Sequence, residues 1–163
     1  MTILVSNDDG IYARGLWALV RELVKISDVI VVAPDREQSA VGTSVTLHQP
    51  LRIRPAEPLV EGVKAYSVEG TPADSVIMAL GVLSDGLKID LVMSGINEGS
   101  NLGNDVLISG TVGAALQGYF HGLPSIAISV AAIKDVYLDA AAKLGALLAR
   151  KVLDGELPRP IFL

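Results

Sequence analysis

The chain has 163 residues, half of them hydrophobic but only 4% aromatic, with a formal net charge of −5 and no cysteine. Without cysteine there are no disulfides, thiolate metal sites or thiol nucleophiles, and without a run of lysines or arginines an extended nucleic-acid surface is excluded. No apolar run reaches membrane-spanning length and the first residues carry no basic leader, so a soluble, cytoplasmic protein with no membrane partner is expected.

The length suits one domain, residues 1–163, and a core of Val, Ile, Leu and Ala suits a buried parallel sheet covered by helices. Ile3-Leu4-Val5 reads as a first strand that runs into Ser6-Asn7-Asp8-Asp9-Gly10. Leu16, Leu19, Val20, Leu23 and Val24 then share one helical face, with Trp17 beside them. Val29 to Ala33 is an unbroken apolar run ending at Pro34, a second buried strand. Asp35 to Pro50 is a polar loop, and Leu51–Pro58 and Val63–Val68 are short strands, with a hairpin at the sheet's rim as one arrangement.

Thr71-Pro72-Ala73-Asp74 starts a helix: threonine caps, proline takes the first turn, and an acid stands three residues after the cap. Val76, Ile77, Leu80 and Leu83 line its buried face. Leu91-Val92-Met93 is a third central strand, followed by a glycine-rich polar loop from Ser94 to Ser109-Gly110-Thr111. A helix from there to about Phe120 closes at His121-Gly122-Leu123-Pro124. Ser125–Val130 is another buried strand, and a last helix spans roughly Tyr137–Leu153, with Leu138, Ala141, Leu144, Leu148 and Val152 on one face. Strands and helices alternate throughout, which predicts a Rossmann-like three-layer α/β/α sandwich with a mostly parallel sheet.

In a parallel sheet, the loops Asn7–Gly10, Asp35–Ser44 and Gly95–Asn104 and the turn after Val130 share one edge, where open α/β folds place their chemistry. Asp8 and Asp9 bring charge, Ser39 a hydroxyl and Asn97 a neutral carbonyl oxygen. Oxygen donors with few charges suit a Mg²⁺-type ion that keeps waters for exchange. The same acids also read as caps of the following helix. Zinc is disfavoured, because neither His48 nor His121 has a second histidine at ligand spacing; His48 is expected to end a strand and His121 to cap a helix. Ser109-Gly110-Thr111 reads either as an ordinary N-cap or as an anion site on backbone N–H groups. There is no Walker A motif and no Gly-x-Gly-x-x-Gly after the first strand, so an ATPase or a nicotinamide-dependent dehydrogenase is poorly supported.

Asn7-Asp8-Asp9-Gly10, Ala33-Pro34-Asp35-Arg36-Glu37-Gln38-Ser39-Ala40, Ser94-Gly95-Ile96-Asn97-Glu98-Gly99-Ser100-Asn101 and Ser109-Gly110-Thr111-Val112-Gly113-Ala114-Ala115 together resemble the motifs of the SurE family, in family order over nearly the whole chain. Gly70-Thr71-Pro72-Ala73-Asp74 is similar to a further family pattern. The resemblance implies a metal-dependent phosphatase of nucleoside monophosphates. It implies one divalent cation, Mg²⁺ or Mn²⁺, held by Asp8, Asp9, Ser39 and Asn97, and substrate phosphate bound by Asn101, Ser109, Gly110 and Thr111.

The mechanism this implies is metal-assisted hydrolysis, with Asp8 or Asp9 orienting or deprotonating the water. An aspartyl-phosphate route like that of haloacid-dehalogenase phosphatases is disfavoured, since Gly10 stands where their second acid would be. A metal-gated nucleotide-binding module without turnover is the alternative of another class. Family members run further than Leu163. The expectation is therefore a core of a longer protein, with Leu157-Pro158-Arg159-Pro160 breaking the last helix, residues 161–163 adding to the sheet, and a homodimer or larger homo-oligomer.

Overall fold

Thr2–Ser6 forms β1, a strand with every residue buried. β2 (Asp28–Pro34) pairs with it in parallel on one side and β5 (Leu91–Glu98) on the other, so Leu4 stands opposite both Ile30 and Val92. β4 (Lys64–Val68) lies parallel beyond β2, and β3 (Ile53–Pro55) pairs antiparallel with it as the rim hairpin. β6 (Ser125–Val130) lies parallel beyond β5, giving a six-stranded sheet in the order β3-β4-β2-β1-β5-β6. The computed structural model describes residues 1–83, 86–131, 136–157 and 161–163.

The alternation of side chains along each buried strand feeds two cores. Ile3, Val5, Val31 and Met93 pack against α1 (Arg14–Leu23) and α5 (Leu138–Leu153). Leu4, Ile30, Val32 and Val92 pack on the opposite face, with Val76 of α2 (Pro72–Met78) and Ala114 of α4 (Gly110–Phe120). The result is the expected three-layer sandwich. Thr71 caps α2, its side chain accepting from the Asp74 amide while Asp74 reaches back to the Thr71 amide, and a π-helical turn, Ala79–Leu83, follows. His121 caps α4, with Nδ1 2.7 Å from the Gln117 carbonyl oxygen. Residues 161–163 do join the sheet. The Ser125 amide donates to the Ile161 carbonyl at 3.1 Å and the Leu163 amide to that of Ser125 at 3.0 Å.

Four expectations are corrected. β5 does not stop at Met93 but continues through Glu98, because its later residues still pair with β6 after a register shift between Ser94 and Asn97. A one-turn helix, α3 (Asp105–Ile108), interrupts the loop expected to reach Ser109. On α5 the buried residues are Ala142, Gly145, Ala149 and Val152, while Leu144 is 54% exposed. Small residues win there because the helix lies close: a Cβ on Gly145 would stand 2.6 Å from Ile128 Cδ1 and 2.8 Å from Leu19 Cδ1. His48 lies in an exposed bend rather than at a strand end. The helix-breaking role of residues 158–160, and most of the turn after Val130, lie outside the described residues.

Candidate active site

From β1 the chain turns one way to β2 and β4 and later the other way to β5 and β6, so the strand order reverses at β1. The crevice outside the carboxyl end of such a switch point is where open α/β sheets bind ligands. Asn7 shapes the turn there. Its side-chain amide donates to the Gly10 carbonyl at 3.0 Å, and the Gly10 amide donates to Asn7 Oδ1 at 3.2 Å. Gly10 holds φ +101°, a conformation that side chains disfavour, and this closes the Asn-Asp-Asp-Gly turn with both acids at the strand end.

A cleft of about 260 Å³ opens over this turn, and Asp8, Asp9, Ser39, Asn97, Asn101 and Ser109 all line it. Gly110 and Thr111 do not; they stand behind Asp8, both buried. Asp8 is 4% exposed, and the Thr111 hydroxyl donates to its Oδ1. Gly110 lets the start of α4 press against that carboxylate, since a Cβ there would lie 2.8 Å from Asp8 Cβ and 3.0 Å from Oδ2. The Ser109 hydroxyl accepts from the Val112 amide at 3.1 Å, an N-cap bond. Burial pushes the Asp8 carboxyl up, opposed by the Thr111 hydroxyl and backbone. Asp9, half-buried, is pushed up to about 6 by burial and then by the charges of Asp8, Glu37 and Glu98.

The neutral donors are each tethered through a hydrogen. Ser39 donates to Glu37 Oε1 at 2.8 Å, the Asn97 amide to the Gly99 carbonyl at 2.9 Å, and the Asn101 amide to Ser129 Oγ at 2.7 Å. Their oxygens keep lone pairs for a ligand. The irregularity in β5 just before Asn97 is the kind of feature that re-aims a side chain at a strand end. Among the described residues no group of three or more His, Cys, Asp or Glu is placed to hold an ion. Two carboxylates completed by a hydroxyl and an amide oxygen make a hard, all-oxygen set, which fits Mg²⁺ or Mn²⁺ and not zinc.

The loop that carries Ser39 is fastened at several points. The Gln38 amide donates to the Asp8 carbonyl at 2.7 Å, and the Gly42 amide to that of Ile108 at 2.8 Å. Buried Asp74 accepts from the Thr46 amide at 2.9 Å, the Thr46 hydroxyl at 2.7 Å and the Thr71 amide at 2.9 Å. Sequence reasoning saw Asp74 as part of a cap and of a further family pattern, not as an anchor of the Ser39 loop. It also missed Glu37, Glu98 and Asp105 as further carboxylates of the cleft. Glu37 and Glu98 lie inside two of the quoted motifs, within two positions of Ser39 and Asn97, and that placement is the available signal. Beside the cleft, sharing Ser100 and Asn101 with it, lies a groove of about 330 Å³ lined mostly by apolar side chains, among them Leu102, Val112 and Phe162.

Comparison with known proteins adds four findings. The family model described as survival protein SurE matches residues 3–163. A protein of Dehalococcoides mccartyi named 5′-nucleotidase SurE is 59% identical over 100% of this chain and 62% of its own length. One of the same name from Alkaliphilus metalliredigens is 48% identical over 96% of this chain and 62% of its own. The crystal structure of the SurE protein from Aquifex aeolicus superposes with a TM-score of 0.86 at 40% identity, covering 97% of this chain and 62% of that one. The chain thus spans 62% of the length of these relatives.

Proposed function

Because the chain belongs to the survival protein SurE family, we propose that it hydrolyses nucleoside monophosphates to nucleoside and phosphate, as a divalent-metal-dependent 5′-nucleotidase, with 3′-monophosphates as a second substrate class to assay. The observation that carries this is the convergence of Asp8, Asp9, Ser39 and Asn97, from three separate segments, on one cleft beside the start of α4. The name borne by the relatives and the apolar groove next to Asn101, suited to a nucleoside, support the same reading.

Asp8, Asp9, Ser39 and Asn97 would hold one Mg²⁺ or Mn²⁺. A cation held there would supply Lewis-acid polarisation of a phosphoryl oxygen and a water of lowered pKa. Asp8, fixed by Thr111, serves as a ligand alone, while Asp9, the more exposed of the two, also orients the attacking water and takes its proton. Asn101 and Ser109 bind the phosphoryl oxygens from the cleft wall, with Gly110 behind Asp8 letting the start of α4, whose end favours negative charge, come close. Thr111 serves the phosphate through Asp8.

Phosphate release from nucleoside 5′- and 3′-monophosphates, with Mn²⁺ or Mg²⁺ and with excess chelator, tests this. Turnover that needs the cation is expected. Turnover in excess chelator overturns the metal mechanism, and nucleotide binding without turnover selects the regulatory-module alternative.

The substrate class and the cysteine-free sequence accord with a cytoplasmic setting; no helix among the described residues is long and apolar enough to cross a membrane. A homodimer or larger homo-oligomer is supported by an aromatic edge beside β6. There Tyr119 stacks edge-on with Phe120 and Phe162 at centroid distances of 6.4 and 5.9 Å, and Phe120 is 65% exposed. Light scattering is the check, and a monomer at high concentration removes this part of the proposal.

A further inference from the structure

One feature of the cleft rim lies outside the ligand set. Asp8, Asp9, Glu37, Glu98 and Asp105 line the cleft, and among the described residues no lysine, arginine or histidine does. Such a wall attracts a divalent cation and repels a phosphate ester at the same time. Among the described residues, Glu98 is the one of these carboxylates with an ion-pair partner. Arg14, the first residue of α1, meets it with two prongs: Nε donates to Oε1 at 2.5 Å and Nη2 donates to Oε2. This fork fixes the orientation of both groups better than a single contact would. It joins the first residue of α1, a few positions after the Asp8-Asp9 turn, to the residue that follows Asn97, so the guanidinium charge sits against a carboxylate of the cleft lining.

We propose that the Arg14–Glu98 pair sets the balance between cation affinity and anionic-substrate affinity at this cleft, with Arg14 cancelling the repulsion that Glu98 would exert on an entering phosphate ester. Arg14 and Glu98 are positioning residues of the site. The inference rests on the metal-dependent nucleotidase reading.

The test measures Mn²⁺ binding without substrate, by calorimetry or electron paramagnetic resonance, and KM for a nucleoside monophosphate at saturating Mn²⁺, on the full chain. Arg14→Met keeps the stem and removes the charge, leaving Glu98 bare; Mn²⁺ binds more tightly and KM rises, each by about two- to fivefold at low salt. Glu98→Gln does the reverse, weakening Mn²⁺ binding and lowering KM by a similar factor. The double variant returns both quantities toward those of the unsubstituted chain, Arg14→Lys stays close to it, and all the shifts shrink as salt is raised. A tie that is only structural moves both single variants in the same direction, and that result, or no shift in either, overturns this inference while leaving the nucleotidase reading intact. Failure of the unsubstituted chain to bind Mn²⁺ overturns both.

Discussion

Thr111 donates its hydroxyl hydrogen to Oδ1 of Asp8 across 103 positions of sequence, inside the protein. The bond joins the first turn of α4 to the end of β1. It leaves Asp8 a single oxygen, Oδ2, uncommitted to this partner.

Thr111→Val keeps the volume and removes the donor. A hydrogen bond to a charged group contributes about 1.5–3 kcal/mol, so turnover should fall by about tenfold or more, with weaker Mn²⁺ binding. Thr111→Ser, which keeps the hydroxyl, should retain most activity. Steady-state kinetics on the three proteins checks this, and a valine variant with normal kcat and Mn²⁺ affinity removes the role given to the bond.

Asp9→Asn preserves size and deletes a charge from the cleft. The expected outcome is loss of nucleotidase activity and of Mn²⁺ binding with an intact fold. In chelator at pH 7 the variant should melt higher than the unsubstituted chain, because a carboxylate that is half-buried and then repelled by Asp8, Glu37 and Glu98 is gone. A variant that keeps full turnover would end the case for Asp9 in the chemistry.

The sign of the pH effect follows from the same group. In the folded chain Asp9 titrates at about 6, against an ordinary value of 3.8. Below 3.8 it is protonated in both states and has no effect. Between 3.8 and about 6 the unfolded chain ionises first, so rising pH favours unfolding. Metal-free protein should therefore lose stability through that window relative to Asp9→Asn and level off above it, a difference read from melting curves in chelator. Adding Mn²⁺ at pH 7 should raise the Tm by mass action.

Asp74→Ala removes an acceptor that serves the Thr46 amide, the Thr46 hydroxyl and the Thr71 amide. Loss of the capping box and of buried partners should cost about 3 kcal/mol in urea unfolding. Thr46→Val, which loses one of these bonds, should cost about 1 kcal/mol. Because Thr46 lies on the segment that carries Ser39, both variants should also weaken Mn²⁺ binding. Equal stability of all three proteins would show that the loop is held elsewhere.

The alternation of apolar strands with amphipathic helices was legible because burial on both sheet faces leaves continuous Val/Ile runs, and Thr71-Pro72 announces its helix through cap chemistry alone. Asp8, Asp9, Ser39 and Asn97 were legible as a set because parallel topology brings strand ends to one edge. What stayed hidden depends on contacts that no local pattern encodes. Leu144 falls outward because the sheet approaches α5 closely enough to prefer Gly145 and Ala149. β5 runs past Met93 because pairing with β6 outweighs the glycine and polar residues that read as loop. Thr111 reads as a cap or an anion ligand until α4 is seen to press on Asp8.

The order of strands in the sheet also sets an order of assembly. Asp8, Asp9 and Ser39 belong to the segments after β1 and β2, adjacent strands joined by a single helix, so a short stretch of chain brings them together. Asn97 and Thr111 arrive only when β5 docks on the far side of β1 and α4 closes over it, contacts separated by roughly ninety residues or more, the kind that form late in folding. Completion of the cleft is then a clock for the second half of the protein. In refolding, tight Mn²⁺ binding should lag behind helix formation, by the time the chain takes to bring its last central strand home.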